Sequence, residues 1–426
     1  MLLFVLSHES FPNIIDAFSK IRELGSQVFP GLSREALILE RNVTYGGTSE
    51  ASAIESTFAT HPSELFRGFL HGYLTALLTG EEIHNFAREE AGRFITLLEE
   101  RWQGFARLSS SLTEVAFALL SIFPVGMQMV ATTFIGPHSV SLLLLSHALL
   151  VGATVGILLL FDKVQPAIHD RRYSFAKTGF LVAVWSGCTL LMYLGYLSPV
   201  ESLLPPLSAS LLLVVSSRRH FRLLRAGESE IGLLLHDLAD ERRAGASLPV
   251  ALSRVMSYAA RFPSTRDSLR IFSRLLDLGY DPVAAQKRIT HASWLVRVSF
   301  SILAVAFQTG GGYEQLDRLS LSFRRISDAR RSLSVSILPF AVLGVFVPII
   351  SGAAVWFLSG IGSLGSFLPN LAVQSQTSGV ALSISLTSLL SGLIVTKAYT
   401  LSLRDLVAMP PLIAATLFSV LFFGVQ

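Results

Sequence analysis

In 426 residues there is a single cysteine, Cys188, and it lies inside an apolar run. The count excludes a disulfide framework, and no CxxC or Cys/His cluster offers a structural zinc site. Charge is also scarce. Asp, Glu, Lys and Arg make up 15% of the residues against 51% hydrophobic ones, and the mean hydropathy is +0.55. That balance is too poor in charge for a soluble globular protein and reads as a polytopic membrane protein. No secretory leader is expected at Met1 to Leu6, which is apolar but short and runs into His8 and Glu9 without a basic start or a cleavage site. Insertion is therefore expected to rely on internal spans.

The longest polar segment, Ser229 to Arg331, occurs twice in weaker form. Thr290 to Gly310 reads THASWLVRVSFSILAVAFQTG, and Thr60 to Gly80, 230 residues upstream, reads THPSELFRGFLHGYLTALLTG. Without a gap the two share Thr60/Thr290, His61/His291, Ser63/Ser293, Leu65/Leu295, Arg67/Arg297, Ala76/Ala306, Thr79/Thr309 and Gly80/Gly310. An internal repeat at this spacing governs the fold reading. In the second copy Ile231, Leu234, Leu235 and Leu238 share a helical face and Gly245 closes that helix. Ser247 and Pro249 open the next helix, and Ser264 with Asp267 is expected to form a capping box ahead of a stripe of Ile271, Phe272, Leu275 and Leu276. Gly279 stops that helix and Asp281-Pro282 restarts the chain. Leu295, Val298, Ile302, Leu303 and Ala306 then lead to Thr309-Gly310-Gly311-Gly312, after which Leu316, Leu319, Phe323 and Ile326 mark a last amphipathic helix. The unit is expected to be a small antiparallel helical bundle.

Between and after the polar stretches lie apolar runs of about the 20 residues that cross a bilayer. They fall at Thr113–Ile135, Ser139–Phe161, Phe175–Leu197, Leu203–Val215, Leu333–Leu358, Gly379–Val395 and Leu406–Phe423. The fourth is short and begins with Pro205-Pro206. Turns are expected at Gly136-Pro137 and Ser198-Pro199, and an uncharged loop at Ser359 to Ser378. The fold expected is all-α: residues 1–111 a first cytosolic helical domain, 112–217 four transmembrane helices, 218–332 a second cytosolic helical domain, and 333–426 three more transmembrane helices. Lys and Arg concentrate in every second loop (Lys163 to Lys177, Arg218 onward, Lys397 to Arg404), and an excess of these residues stays inside. Both polar domains are thus expected in the cytoplasm and the C-terminus outside. Ser7 to Ser111 has 9 basic and 14 acidic residues, Arg218 to Arg331 has 19 and 11, so the two domains differ in sign.

The runs DLADERRAGASLPVAL, LLDLGYDPVAAQ and FQTGGGYEQLDRLSLSFRRISDARRS, leading into an apolar segment, resemble the type II secretion system F domain. Two such domains separated by several spans resemble the archaeal membrane platform proteins of type IV pili and archaella, and the resemblance covers nearly the whole chain. It implies a non-enzymatic scaffold of the cell membrane, without cofactor or metal, acted on by a cytosolic hexameric secretion ATPase beneath a filament of pilin-like subunits. A homo-oligomer, taken as a dimer, is expected, and the Thr79-Gly80 and Thr309-Gly310-Gly311 turns are the motif both copies carry. The chain departs from the family in its short opening helix and in having Gly80-Glu81 where the second copy has Gly310-Gly311.

Other chemistry is thin. His61 and His291 occupy equivalent positions but have no second His or Cys at ligand spacing, so a role at a helix start is the better reading. His147 lies within a span, where one neutral interhelical hydrogen bond is expected. Gly310-Gly311-Gly312 lacks the Lys-Ser/Thr of a phosphate loop and reads as a helix-to-helix turn. The charges that stand out are Arg324, Arg325, Arg330 and Arg331, with Arg242 and Arg243 elsewhere in the domain, as candidate partner-binding residues. A basic face beside a bilayer attracts anionic lipid, worth about 1 kcal/mol per residue; an acidic protein or the oppositely charged first domain are the alternatives. Nucleic acid is not expected, because no aromatic stacking surface accompanies the charges. A secondary transporter, which would also contain internal repeats, is the rival reading, although it would place the repeat in the membrane.

Overall fold

The computed structural model describes residues 14–24, 28, 30–134, 139–166, 170, 176–364, 377–400, 403 and 406–423. Among the described residues the chain is helical throughout, without a strand. It divides into two compact units: Met1–Glu100, Ile168–Arg171 and Arg222–Asp328 form one, and Arg101–Ala167, Arg172–Phe221 and Ala329–Gln426 the other.

The first unit takes α1 (Ile14–Glu23), α2 (Pro30–Thr44), α3 (Glu50–Thr60), α4 (Glu64–Thr79) and the start of α5 (Ile83–Phe134) from the first polar stretch. From the second it takes the end of α8 (Pro199–Arg243), α9 (Leu248–Ser257), α10 (Arg266–Asp277), α11 (Pro282–Lys287), α12 (Trp294–Thr309) and the start of α13 (Tyr313–Leu364). Both stretches contribute to one buried cluster, Phe18, Leu39, Leu70 and Tyr73 from the first joining Leu234, Leu238, Phe272 and Phe300 from the second. Burying side chains of this size contributes about 1.5–3 kcal/mol each, so the cluster is the main cohesive force of the unit. Trp294 adds a directional contact by donating its indole N–H to the Val28 carbonyl at 2.9 Å. Tyr73 ties α4 to α3 by donating to Glu50, 3.1 Å away, and accepts from the Ile14 amide at 3.0 Å; burial pushes its phenol above the ordinary value.

Local punctuation follows the sequence at most helix ends. Gly245 and Gly279 take positive φ after α8 and α10, Pro follows Ser247 in the first turn of α9, and Asp281 caps α11 by accepting from the Val283 and Ala284 amides. The capping box at Ser264 and Asp267 does not form, because Thr265, not Ser264, is the N-cap of α10 and its side chain makes no cap bond. The buried carboxylate of Glu230, from α8, takes the donors instead, accepting from the amides of Ser264 (3.0 and 3.1 Å) and Thr265 (2.9 Å) and from the Thr265 hydroxyl (3.1 Å). A charged acceptor bonds these amides more strongly than a hydroxyl would.

The second unit contains the apolar helices. Five are long and apolar enough to cross a membrane among the described residues: Ile83–Gly126, Leu145–Val164, Pro199–Arg243, Tyr313–Ala354 and Ala381–Tyr399. The third and seventh expected spans coincide with shorter apolar helices, Ala176–Met192 and Met409–Phe422. The fourth is longer than expected: Pro205 and Pro206 sit inside α8, which continues to Arg243, so Arg218, Arg219, Arg222 and Arg225 lie on the span helix itself. The last amphipathic helix of the second polar stretch leads into the fifth expected span without interruption, since α13 runs on to Leu364, which moves the start of the expected loop at Ser359. Gly136-Pro137, Arg171, Arg172, Arg404 and residues 365–376 lie outside the described residues.

At the centre of this unit α14 (Thr377–Thr400) packs against α6 (Ser139–Val164), α7 (Ala176–Tyr193) and α15 (Met409–Phe422). Several helix-to-helix contacts of this unit are made by hydroxyls. Trp185 of α7 donates to Ser385 at 2.9 Å, Ser388 hydrogen-bonds Thr416 of α15, and Ser419 donates to the Pro348 carbonyl of α13 at 2.7 Å. Small hydroxyl residues suit helices whose surroundings give no hydrophobic drive for association. Lys397, expected in a loop, is instead on α14, buried, and ion-paired with Asp162 at the end of α6. A lysine inside a helical bundle needs such a partner.

Candidate functional site

The motif that the sequence repeats has the same backbone in both places. α4 and α12 are each 16 residues long, with Ser63 and Ser293 as N-caps. Two residues before each N-cap serine, a histidine accepts from the serine amide: His61 Nδ1 from Ser63 N at 3.0 Å, and His291 Nδ1 from Ser293 N at 3.1 Å. At the other end Thr79 and Thr309 donate back to the carbonyls of Thr75 and Val305, both at 2.9 Å. Gly80 and Gly310 then take φ 74° and 78° with ψ 21° in each. This is the left-handed conformation that glycine adopts without the Cβ penalty. The amides of Glu81 and Gly311 close the turns onto Ala76 and Ala306 at 3.0 and 2.8 Å. Each turn launches a helix of 52 residues, α5 and α13.

The second turn carries an extra contact. Arg242, at the end of α8, donates to the carbonyls of Gly310 (3.1 Å), Gly311 (3.1 and 3.2 Å) and Ala246 (3.0 Å). A planar guanidinium can bridge several carbonyls at once, which a lysine cannot. Beside it Arg243 lies 5.4 Å over the Tyr313 ring and 3.7 Å from Asp317. His236 reaches Asp317 at 3.2 Å and Asp240 at 3.6 Å. Further along, α8 presents Gly232 to α13; a Cβ there would stand 2.7 Å from Arg324 Cγ and 3.4 Å from the Ser320 carbonyl. The end of α8 is thus stitched along the start of α13 by Arg242, Arg243, His236 and the stem of Arg324. Burial lowers the His291 imidazole below its ordinary value, with the Ser264 backbone and Glu230 opposing the shift.

The expected basic face is therefore not one surface. Arg242 and Gly310-Gly311 come together, and Arg243 and Arg324 belong to the same seam. Arg325 is exposed and stands 3.7 Å from Glu99 of the first stretch, so one ion pair does join the oppositely charged stretches. Arg330 lies over the Trp102 ring at 5.2 Å, within the other unit. Arg331 is exposed at the surface.

Two outward helix faces escaped the sequence reading. On α2 the outward positions include Arg34, Leu37, Ile38, Arg41 and, just beyond the helix, Tyr45, while Ala36 and Leu39 point into the core. On α10 Leu269 and Phe272 point inward. Ile271, expected in the inward stripe, is 43% exposed together with Arg270, Arg274 and Leu278. An inward stripe at i, i+3 leaves the residue at i+2 outside, and that spacing was the available signal. Among the described residues no group of three His, Cys, Asp or Glu is placed to hold a metal ion. Comparison of the chain with protein-family models, with curated proteins and with solved structures gives no match.

Proposed function

We propose that this protein is the membrane platform of an archaeal type IV pilus-like or archaellum assembly machine. In this reading it is a seven-span scaffold without catalysis of its own, with two copies of one helical domain in the cytoplasm and the C-terminus outside. It passes movement from a hexameric secretion ATPase to pilin-like subunits. The observation that carries the reading is that α5, α8 and α13 each run unbroken from a charged sequence into an apolar one long enough to cross a membrane. A continuous hydrogen-bonded helix transmits displacement along its axis, whereas a loop would absorb it. The like turns at Gly80 and Gly310, each launching a long helix that becomes apolar, support the duplication of one device.

The test is affinity purification of the full chain in detergent from its native cells, with the bound proteins identified by mass spectrometry. A secretion ATPase retained in stoichiometric amount is the expected result; its absence under conditions that keep the chain folded would count against the reading. The rival, a secondary transporter, draws support from the hydroxyl row of α14. Ser385, Ser388 and the facing Thr416, together with Ser419 of α15 toward α13, are engaged in helix-to-helix hydrogen bonds, a role packing alone accounts for.

A further inference from the structure

The two outward faces on α2 and α10 match in register. Taking the inward pairs Ala36/Leu39 and Leu269/Phe272 as the frame, the outward residues fall at the same positions: Ile38 and Arg41 on one helix with Tyr45 just past its end, Ile271 and Arg274 on the other with Leu278 just past its end. The apolar members are exposed to 38%, 86%, 43% and 66% for Ile38, Tyr45, Ile271 and Leu278. Arg41 and Arg274 have no ion pair among the described residues, while the neighbouring carboxylates of α2 are engaged elsewhere, Glu40 with Arg22 and Glu35 with His61. Large aliphatic and aromatic side chains held in water beside an unpaired arginine are the composition of an interface core. Its occurrence twice at one register makes chance exposure a poor account.

We infer that these two faces are a pair of equivalent docking sites for one protein partner that offers two like recesses, apolar at the floor and acidic at the rim. A flat anionic bilayer fits less well. The first polar stretch carries 14 acidic against 9 basic residues, among them the exposed Glu55, Glu64 and Glu89, so as a whole it is repelled by an anionic surface. A protein surface touches the face alone. On α10 the exposed Asp267 and Asp277 flank the arginines, so the apolar residues and Arg270 and Arg274 must supply the recognition there. Two linked sites bind with an affinity far above either one, and the loss of one is felt strongly. The inference rests on the proposed function for the identity of the partner, a secretion ATPase whose subunits repeat the same surface.

The full chain in nanodiscs of neutral lipid, titrated with the purified hexameric ATPase of the same cells, tests it. Ile38→Glu or Ile271→Glu is expected to weaken binding at least about tenfold, the double variant to abolish it, and Leu78→Glu, at an exposed apolar residue of α4 outside both faces, to leave it unchanged. Unchanged binding by a folded double variant overturns the docking sites while leaving the platform reading standing. No binding by the unaltered chain overturns the partner and that reading together. Hydrogen exchange at residues 34–45 and 270–278 that slows when anionic lipid replaces neutral lipid, with no ATPase present, assigns the faces to the bilayer and overturns the inference.

Discussion

The Gly80 turn and the Gly310 turn share every backbone feature and differ in what holds them. His61 and His291 accept from the following serine amides alike, and Thr79 and Thr309 donate back alike, so the backbone is set by residues of the motif itself; only the Ser63 hydroxyl adds a cap bond, from the Phe66 amide, which Ser293 does not make. The second turn is followed by Gly311-Gly312 and held by the Arg242 guanidinium; the first is followed by Glu81-Glu82. A turn closed only by its own residues is complete when its sequence is right. One held from 68 residues away depends on α8 being docked. The second turn is thus the one whose state can report on the position of another helix.

The two turns can serve as equivalent devices only if both polar stretches lie on the same side of the membrane. In a Cys188→Ser background, Tyr45→Cys and Tyr280→Cys, both at exposed residues, are expected to resist a membrane-impermeant maleimide on intact cells and to label fully after lysis. External labelling of one and not the other would end the equivalence of the copies. Next in size is Arg242→Ala, which removes donors from three carbonyls and should cost about 2 kcal/mol, with faster hydrogen exchange at residues 310–316. Arg242→Lys should recover only part of this, because an ammonium cannot bridge the same carbonyls. Gly80→Ala and Gly310→Ala should each cost about 1–2 kcal/mol by forcing a Cβ into the left-handed region. Their denaturation midpoints should shift alike, and a large inequality would show that Arg242 already strains the second turn.

The smallest effect concerns the histidines. His291 is depressed by burial below its ordinary 6.5. In the unfolded chain it therefore gains a proton first as pH falls, and stability is full above 6.5 and is lost as pH drops below it until the folded form also titrates. His291→Asn, whose side-chain oxygen can accept from the Ser293 amide as Nδ1 does, should flatten that loss in a thermal-unfolding series from pH 8 to pH 5.

Much of this was legible in the sequence because it is local. Gly80, Gly310, Asp281-Pro282 and Ser247-Pro249 act on backbone within one turn, and each sits at a helix end where expected. What escaped depends on partners far along the chain. Glu230 displaces the Ser264 capping box from 34 residues away. Lys397 is held inside its helix by Asp162, 235 residues distant. Ile271 turns outward because Leu269 and Phe272 fit the core better, a choice made by packing and not by hydropathy.

If, as proposed, movement passes along α13 from the charged stretch into the span, cutting that helix stops it. Four residues, Gly-Gly-Ser-Gly, inserted between Ala329 and Arg330 uncouple the two parts without altering either sequence. Normal membrane insertion, protein level and ATPase retention are expected, with filaments absent by electron microscopy. Wild-type numbers of filaments on cells carrying only the inserted chain would contradict that coupling.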